Sequence, residues 1–231
     1  MKIPSEWTFK SSEVANGFDR HVREQLPWYD LMSGAVAHIA RHYIPEGGLI
    51  YDLGSSTGNT FDLISDQLKT RSAKYIGVDN SSQMVSSAQI KYQNDDEAEF
   101  VCGDMGRMEV ESFDVAICFL SLMFLSVRER TLLIEKLLRE VRIGGAIIIV
   151  DKIGAPSGYV GTIMRRLTLA GKVASGVSAD EIMQKELSLI GVQRPMSKHE
   201  LPTCALKVFQ FGEFSGYVID QQRLNYSRRV E

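Results

Sequence analysis

Short, β-rich apolar runs alternate along the chain with longer stretches in which apolar residues return every three or four positions. The first run, Leu49-Ile50-Tyr51-Asp52-Leu53, stops at Gly54, and the second, Lys74 to Val78, stops at Asp79. A third spans Glu99 to Cys102 before Gly103-Asp104, a fourth Asp114 to Phe119, and a fifth Ala146 to Val150 before Asp151-Lys152. Runs of this kind predict strands, and the stretches between them predict the crossover helices of a parallel sheet. Phe61, Ile64 and Leu68 mark the inner face of one such helix. Leu133, Leu137 and Val141 mark another, with Glu129, Arg130, Glu135 and Arg139 on its outer face. Gly144-Gly145 is expected to end that helix, and Ser81 or Ser82 to cap the one running towards Lys91. Upstream, Leu31 to Tyr43 reads as a helix closed by Pro45-Glu46-Gly47-Gly48.

After Asp151 the alternation breaks. Residues 155–200 read as helical, with Val160, Ile163, Met164 and Leu167 sharing a face near Arg165, Arg166 and Lys172. Leu206 to Gly212 and Phe214 to Ile219 alternate as a closing β-hairpin. The expected architecture is therefore α/β, with a helical insert and a terminal antiparallel hairpin.

Composition narrows the class. A hydrophobic share of 44% and a charged share of 24% suit a globular chain with a core rather than a disordered one. The net charge of −3 gives no overall basic field to draw nucleic acid or an anionic membrane. Cys102, Cys118 and Cys204 are odd in number and widely spaced, which argues against a disulfide framework or a zinc site and for a reducing cytoplasm. The N-terminal stretch has no apolar run like a signal peptide. The most apolar stretch, Val115 to Leu125, is too short to cross a bilayer, which takes about 20 residues. The chain reads as soluble.

The chemistry lies at the strand ends. In Tyr51-Asp52-Leu53-Gly54-Ser55-Ser56-Thr57-Gly58 a strand runs through a small, glycine-bearing turn towards a helix, so a ligand can press against bare backbone. A dinucleotide loop would carry glycine where Ser56 and Asn59 stand, and a triphosphate loop would need Gly-Lys-Ser/Thr, so a nucleoside without phosphate fits better. Asp79 ends the second strand, where a carboxylate can accept both ribose hydroxyls, and Asn80 follows it. Asp104, after Gly103, can accept from the exocyclic amine of adenine, with Met105 as an apolar cover. Each signal has a bland alternative, such as tight packing or a solvated aspartate. Their succession at three consecutive strand ends is what carries the reading.

Over nearly its whole length the chain resembles the class I S-adenosylmethionine-dependent methyltransferases. More closely it looks like the carboxy-S-adenosylmethionine synthases that serve wobble-uridine modification of tRNA. The likeness rests on Trp7-Thr8-Phe9, Pro27-Trp28-Tyr29, Tyr51 to Ser56, Val78-Asp79-Asn80-Ser81, Arg128-Glu129-Arg130 and Phe209-Gln210. It implies a Rossmann-like, mostly parallel seven-stranded sheet with helices on both faces. Residues 1–46 would be a helical cap over the cofactor site, and 47–231 the S-adenosylmethionine-binding domain with its insert at about 155–200. Contacts to S-adenosylmethionine, and to S-adenosylhomocysteine as product, would come from Tyr29, Gly54, Ser55, Ser56, Asp79, Asn80, Asp104 and Met105, with Asp52, Gly58, Met84 and Phe119 completing the set. A homodimer and a place in tRNA modification are implied by kinship alone.

Two departures weigh against carboxy-cofactor synthesis, which uses prephenate. Phe119 stands where those synthases carry Asn, and Glu186, in Gln184-Lys185-Glu186, stands where they carry the Arg that pairs with the added carboxylate. The leading expectation is methyl transfer to an unidentified acceptor. Synthesis of the carboxylated cofactor is the alternative, and a non-catalytic scaffold the third reading. The sulfonium is already an activated electrophile, so no protein nucleophile or metal is expected and no catalytic residue is singled out. His21, His38 and His42 read as core or surface residues, His21 near the cofactor lid. Asp151 and Lys152 stand at the mouth of the fifth strand, where a substrate would reach, and Arg165-Arg166 and Arg228-Arg229 as solvated charge pairs.

Overall fold

All five apolar runs form parallel strands in a computed structural model, which describes residues 12–154 and 158–222. They are β1 (Leu49–Leu53), β2 (Lys74–Asp79), β3 (Ala98–Cys102), β4 (Phe113–Phe119) and β5 (Val141–Lys152), joined by β6 (Leu206–Phe211) and β7 (Phe214–Asp220). Their order is β3-β2-β1-β4-β5-β7-β6, and β7 runs antiparallel to both β5 and β6. Every residue of β4 is buried, as a central parallel strand covered on both faces requires. Trp7-Thr8-Phe9 and Arg228-Arg229 lie outside the described residues.

Among the described residues the α-helices are α1 (Ser12–Gln25), α2 (Tyr29–Tyr43), α3 (Asn59–Thr70), α4 (Ser82–Lys91), α5 (Val127–Glu140), α6 (Tyr159–Ala174) and α7 (Ala179–Ser188). On one face, Met32, Val36 and Ala40 of α2 and Phe61, Ile64 and Leu68 of α3 pack on Ile50, Tyr75 and Ile117. On the other, Leu133, Ile134 and Leu137 of α5 pack on Ala116, Ile147 and Tyr217. Each fully buried Leu, Ile, Val, Phe or Met among them contributes about 1.5–3 kcal/mol of transfer free energy. Ser81 caps α4, accepting from the Met84 amide at 3.3 Å. Ser126 and Glu129 close a reciprocal capping box at the start of α5.

Three expectations are corrected. Arg130, expected on the outer face of α5, is 1% exposed. Gly144-Gly145 does not end α5, which stops at Glu140, and the chain is already extended at Val141. The glycines instead lie within β5. A Cβ on Gly145 would come within 2.4 Å of the Asp114 carbonyl oxygen, so the close approach to β4 demands glycine there. In α6 the apolar face is turned outward, with Val160, Ile163 and Leu167 between 43% and 51% exposed. The inward side of α6 is Gly161, Thr168 and Lys172. In α7, Met183 and Leu187 are likewise exposed while Lys185 is buried. Periodicity finds such helices but assigns the wrong side when the buried side serves a polar cavity.

At the end of β5, Asp151 accepts from the amides of Met123 at 3.0 Å and Lys152 at 2.7 Å and so anchors the single turn Leu122–Phe124. Burial pushes its carboxyl up to about 7, against the pull of those amides. The folded state therefore keeps a proton that the unfolded chain gives up near the ordinary value of 3.8, and stability falls as pH rises between these two values. Thermal unfolding across that window should show the fall, and Asp151→Asn should flatten it. The remaining slope would come from Asp52, which burial pushes up to about 6, and from Asp79, also raised by burial, with His21, which burial pulls down to about 4, opposing them.

Candidate functional site

The chain passes from β1 out to β3 on one side and then returns to β4 and β5 on the other. The strand order thus reverses between β1 and β4, and ligands of such sheets lie beyond the strand tips at that point. The β1–α3 loop is built for close approach. Gly54 and Ser55 both donate backbone N–H to the Val78 carbonyl, at 2.8 and 3.0 Å. Gly54 has φ +87°, and a Cβ there would come within 2.4 Å of the Ser121 Cβ at the end of β4. Ser56 adopts φ +51° and donates its amide to Asp79 Oδ2 at 3.0 Å. Asp79 Oδ1 accepts from the Ser81 amide at 2.9 Å. The β2 carboxylate therefore shapes the loop that it faces. Burial raises its pKa, with the two amides opposing.

Beyond these tips lies a cavity of about 400 Å³, within the range of small-ligand pockets. Ten of the twelve expected cofactor residues line it. Gly54, Ser55 and Ser56 form its floor with Asp79, and Asn80 and Asp104 lie at exposed positions on its wall. Asp104 also accepts from the Gly106 amide at 2.9 Å and pairs with Arg107 at 3.3 Å, both in solvent. Met84 and Met105 supply apolar wall, and Phe119 meets the Tyr29 ring edge-on at 5.4 Å. The other two stand behind the wall. Asp52 is buried and accepts from the Tyr75 hydroxyl, and Gly58, with φ +82°, makes room for Tyr92 and Phe100. Both serve the shape of the loop.

The hydroxyls of Ser55 and Ser121 are buried on this wall and have no hydrogen-bond partner among the described residues. Desolvated hydroxyls of this kind need a polar partner, as an amino-acid or ribose group would provide. With the Asp79 carboxylate and the bare Gly54 backbone beside them, the donor set fits a nucleoside that carries an amino acid and lacks phosphate. No cluster of His, Cys, Asp or Glu suited to a metal occurs among the described residues.

Two further groups of residues complete the lining. Helix α1 presents Phe18, His21, Val22 and Gln25. Asp19 ties it to the glycine loop, with Oδ1 accepting from Thr57 Oγ1 at 2.7 Å and Asn59 Nδ2 at 2.8 Å. Asn59 also donates to the Tyr29 hydroxyl at 3.1 Å, and burial pushes that phenol up to about 12. Lys152, Lys172, Lys185, Glu186 and Gln193 line the same cavity. His21 is on the wall, whereas His38 and His42 are exposed, as are Arg165 and Arg166. Lys152 lines the cavity, whereas Asp151 stands behind it. No local sequence signal marks Ser121, Asp19, Lys172 or Lys185 as residues of the site. Only their convergence from four distant segments marks them.

The family model described as "Methyltransferase domain" matches residues 50–145, which hold β1 through the start of β5. The chain is 31% identical to the carboxy-S-adenosyl-L-methionine synthase of Staphylococcus epidermidis over 194 residues, 84% of each chain. It is 30% identical to the synthase of Shewanella oneidensis, over 82% of this chain and 80% of that one. Among solved structures, human N-acetylserotonin methyltransferase in complex with SAM superposes with a TM-score of 0.58 at 13% identity, covering 94% of this chain and 60% of that one. Magnesium protoporphyrin IX methyltransferase of Synechocystis PCC 6803, with bound SAH, gives 0.57 at 18% identity, covering 91% and 94%. These two share the fold.

Proposed function

The chain belongs to the family of the carboxy-S-adenosyl-L-methionine synthases, within the class I S-adenosylmethionine-dependent methyltransferases, and from that premise we propose that it transfers the sulfonium methyl group to a small acceptor held inside the cavity. The observation that carries this is one continuous cavity, lined both by the Gly54–Asp79 tips and by α1, α6 and α7. Its size suits a small acceptor and not a folded macromolecule. Bound S-adenosylmethionine supplies an electrophilic carbon. The protein's part is to hold the nucleoside through Asp79, Ser55, Ser121 and the loop backbone, to exclude water with α1 and Tyr29, and to align the acceptor. Alignment of two reactants contributes about 7–11 kcal/mol to such a step.

The second reading, synthesis of the carboxylated cofactor, is favoured by the relatives' identity. The Glu186 objection weakens in the structure, because Glu186 is paired with Lys172 at 3.3 Å and is not a lone negative charge. One experiment separates the two. Incubation with S-adenosylmethionine and prephenate, read by mass spectrometry, is expected to leave the cofactor without an added carboxyl group, whereas a carboxylated product would establish the second reading and overturn the first. A homodimer is supported by the exposed apolar stripe of α6, and a reducing cytoplasm by the free thiols of Cys102 and Cys118. No described helix is long and apolar enough to cross a membrane.

A further inference from the structure

The strand order lays out a row of ligand contacts. β3, β2, β1 and β4 are neighbours in that order, so Asp104, Asp79, the Gly54 loop and Phe119 follow one another along their tips. The sulfur of S-adenosylmethionine is bonded to the 5′ carbon of the ribose. With the ribose on Asp79 and the adenine towards Asp104, the sulfonium falls at β1 and β4, within the two strand spacings, about 10 Å, that separate Asp79 from Phe119. No carboxylate of the cavity wall comes from β1 or β4. Among the described residues the wall carboxylates are Asp79, Asp104 and Glu186, the last already paired with Lys172 at 3.3 Å. Asp52 of β1 stands behind the wall and accepts from Tyr75. What the wall offers at the tip of β4 is aromatic. Phe119 is 8% exposed and Tyr29 5%, both line the cavity, and their rings meet at 71° with centroids 5.4 Å apart. Ring faces carry partial negative charge and attract a desolvated cation. Arg23 takes one face of Tyr29, its guanidinium 5.1 Å from the ring centroid. Among the described residues no cation stands over Phe119.

We propose that Phe119, braced by Tyr29, recognises the sulfonium charge, adding affinity for S-adenosylmethionine that S-adenosylhomocysteine does not share and so favouring release of the product. This rests on the transferase reading and deepens it. In the transfer the acceptor's lone pair forms the new bond to the methyl carbon. The old S–CH3 electron pair stays on sulfur, and the positive charge passes to the acceptor. The sulfur is then a neutral thioether, and the ring loses the charge that it attracted. Asp79 and the Gly54–Ser56 backbone face parts of the nucleoside that substrate and product have in common, so they add nothing to the difference between the two affinities. Phe119 stands at the part that changes.

The test is calorimetric titration of the full chain with S-adenosylmethionine and, separately, with S-adenosylhomocysteine, read as the ratio of the two affinities. Phe119→Leu keeps an apolar side chain but removes the ring face. It should weaken S-adenosylmethionine by about threefold to thirtyfold, with S-adenosylhomocysteine affinity nearly kept. Both titrations use the same folded sample, so general damage to the site lowers both affinities and leaves their ratio alone. Phe119→Tyr restores a ring and should restore the wild-type ratio. A ratio unchanged in Phe119→Leu, or one that falls as far in Phe119→Tyr, would overturn the sulfonium role and leave the cofactor reading standing. Binding of neither nucleoside by the folded wild type would remove both together.

Discussion

Arg130→Ala is expected to destabilise the protein by about 3–5 kcal/mol, because it strands a carboxylate in a largely buried site. Arg130 is 1% exposed. Its guanidinium bonds both oxygens of Glu200 and donates to the Arg194 carbonyl at 2.7 Å. Glu200 in turn accepts from the Ser197 amide at 2.7 Å, and the Arg194 amide donates to the Met123 carbonyl at 2.7 Å. One side chain of α5 thus fixes the segment after α7 that supplies Val192 and Gln193 to the cavity. Urea unfolding should show the loss. The double replacement Arg130→Met with Glu200→Leu should recover much of it, since apolar substitutes leave no buried charge. A loss under about 1 kcal/mol in the single variant would mean that the pair stabilises no more than a surface ion pair does.

Asp79→Ala should weaken S-adenosylhomocysteine binding by about tenfold to a hundredfold, the worth of hydrogen bonds to a charged group. The structure adds a second route to the same loss. Asp79 holds the Ser56 amide, so its removal also frees a loop residue kept at φ +51°. Asp79→Asn, which keeps one acceptor but places an amide N–H near the Ser56 or Ser81 amide, should fall between wild type and alanine. Calorimetry on folded variants decides this, and unchanged affinity would remove Asp79 from the site.

The architecture was legible because β1, β2, β4 and the hairpin are short apolar runs bounded by polar or glycine stops, a pattern that few other folds produce. The loop and Asp79 were legible for a related reason, since each sits where a strand ends and needs only local sequence to be placed. Gly144-Gly145 misled because glycine ends helices far more often than it eases contact between strands, and only the Asp114 carbonyl opposite shows which applies. Lys172 and Lys185 were illegible in a different way. On α6 and α7 the apolar residues keep helical spacing, so the polar side reads as solvated, and only the cavity that it faces reverses the assignment. Ser121 carries no local signal at all. Its role comes from crossing Gly54, 67 positions earlier in the chain (121 − 54).

The most direct test is a titration of the purified protein with S-adenosylmethionine, followed by displacement with S-adenosylhomocysteine. Saturable one-site binding that S-adenosylhomocysteine displaces is the predicted result. A flat titration in a folded, ligand-free sample would contradict the account at its root.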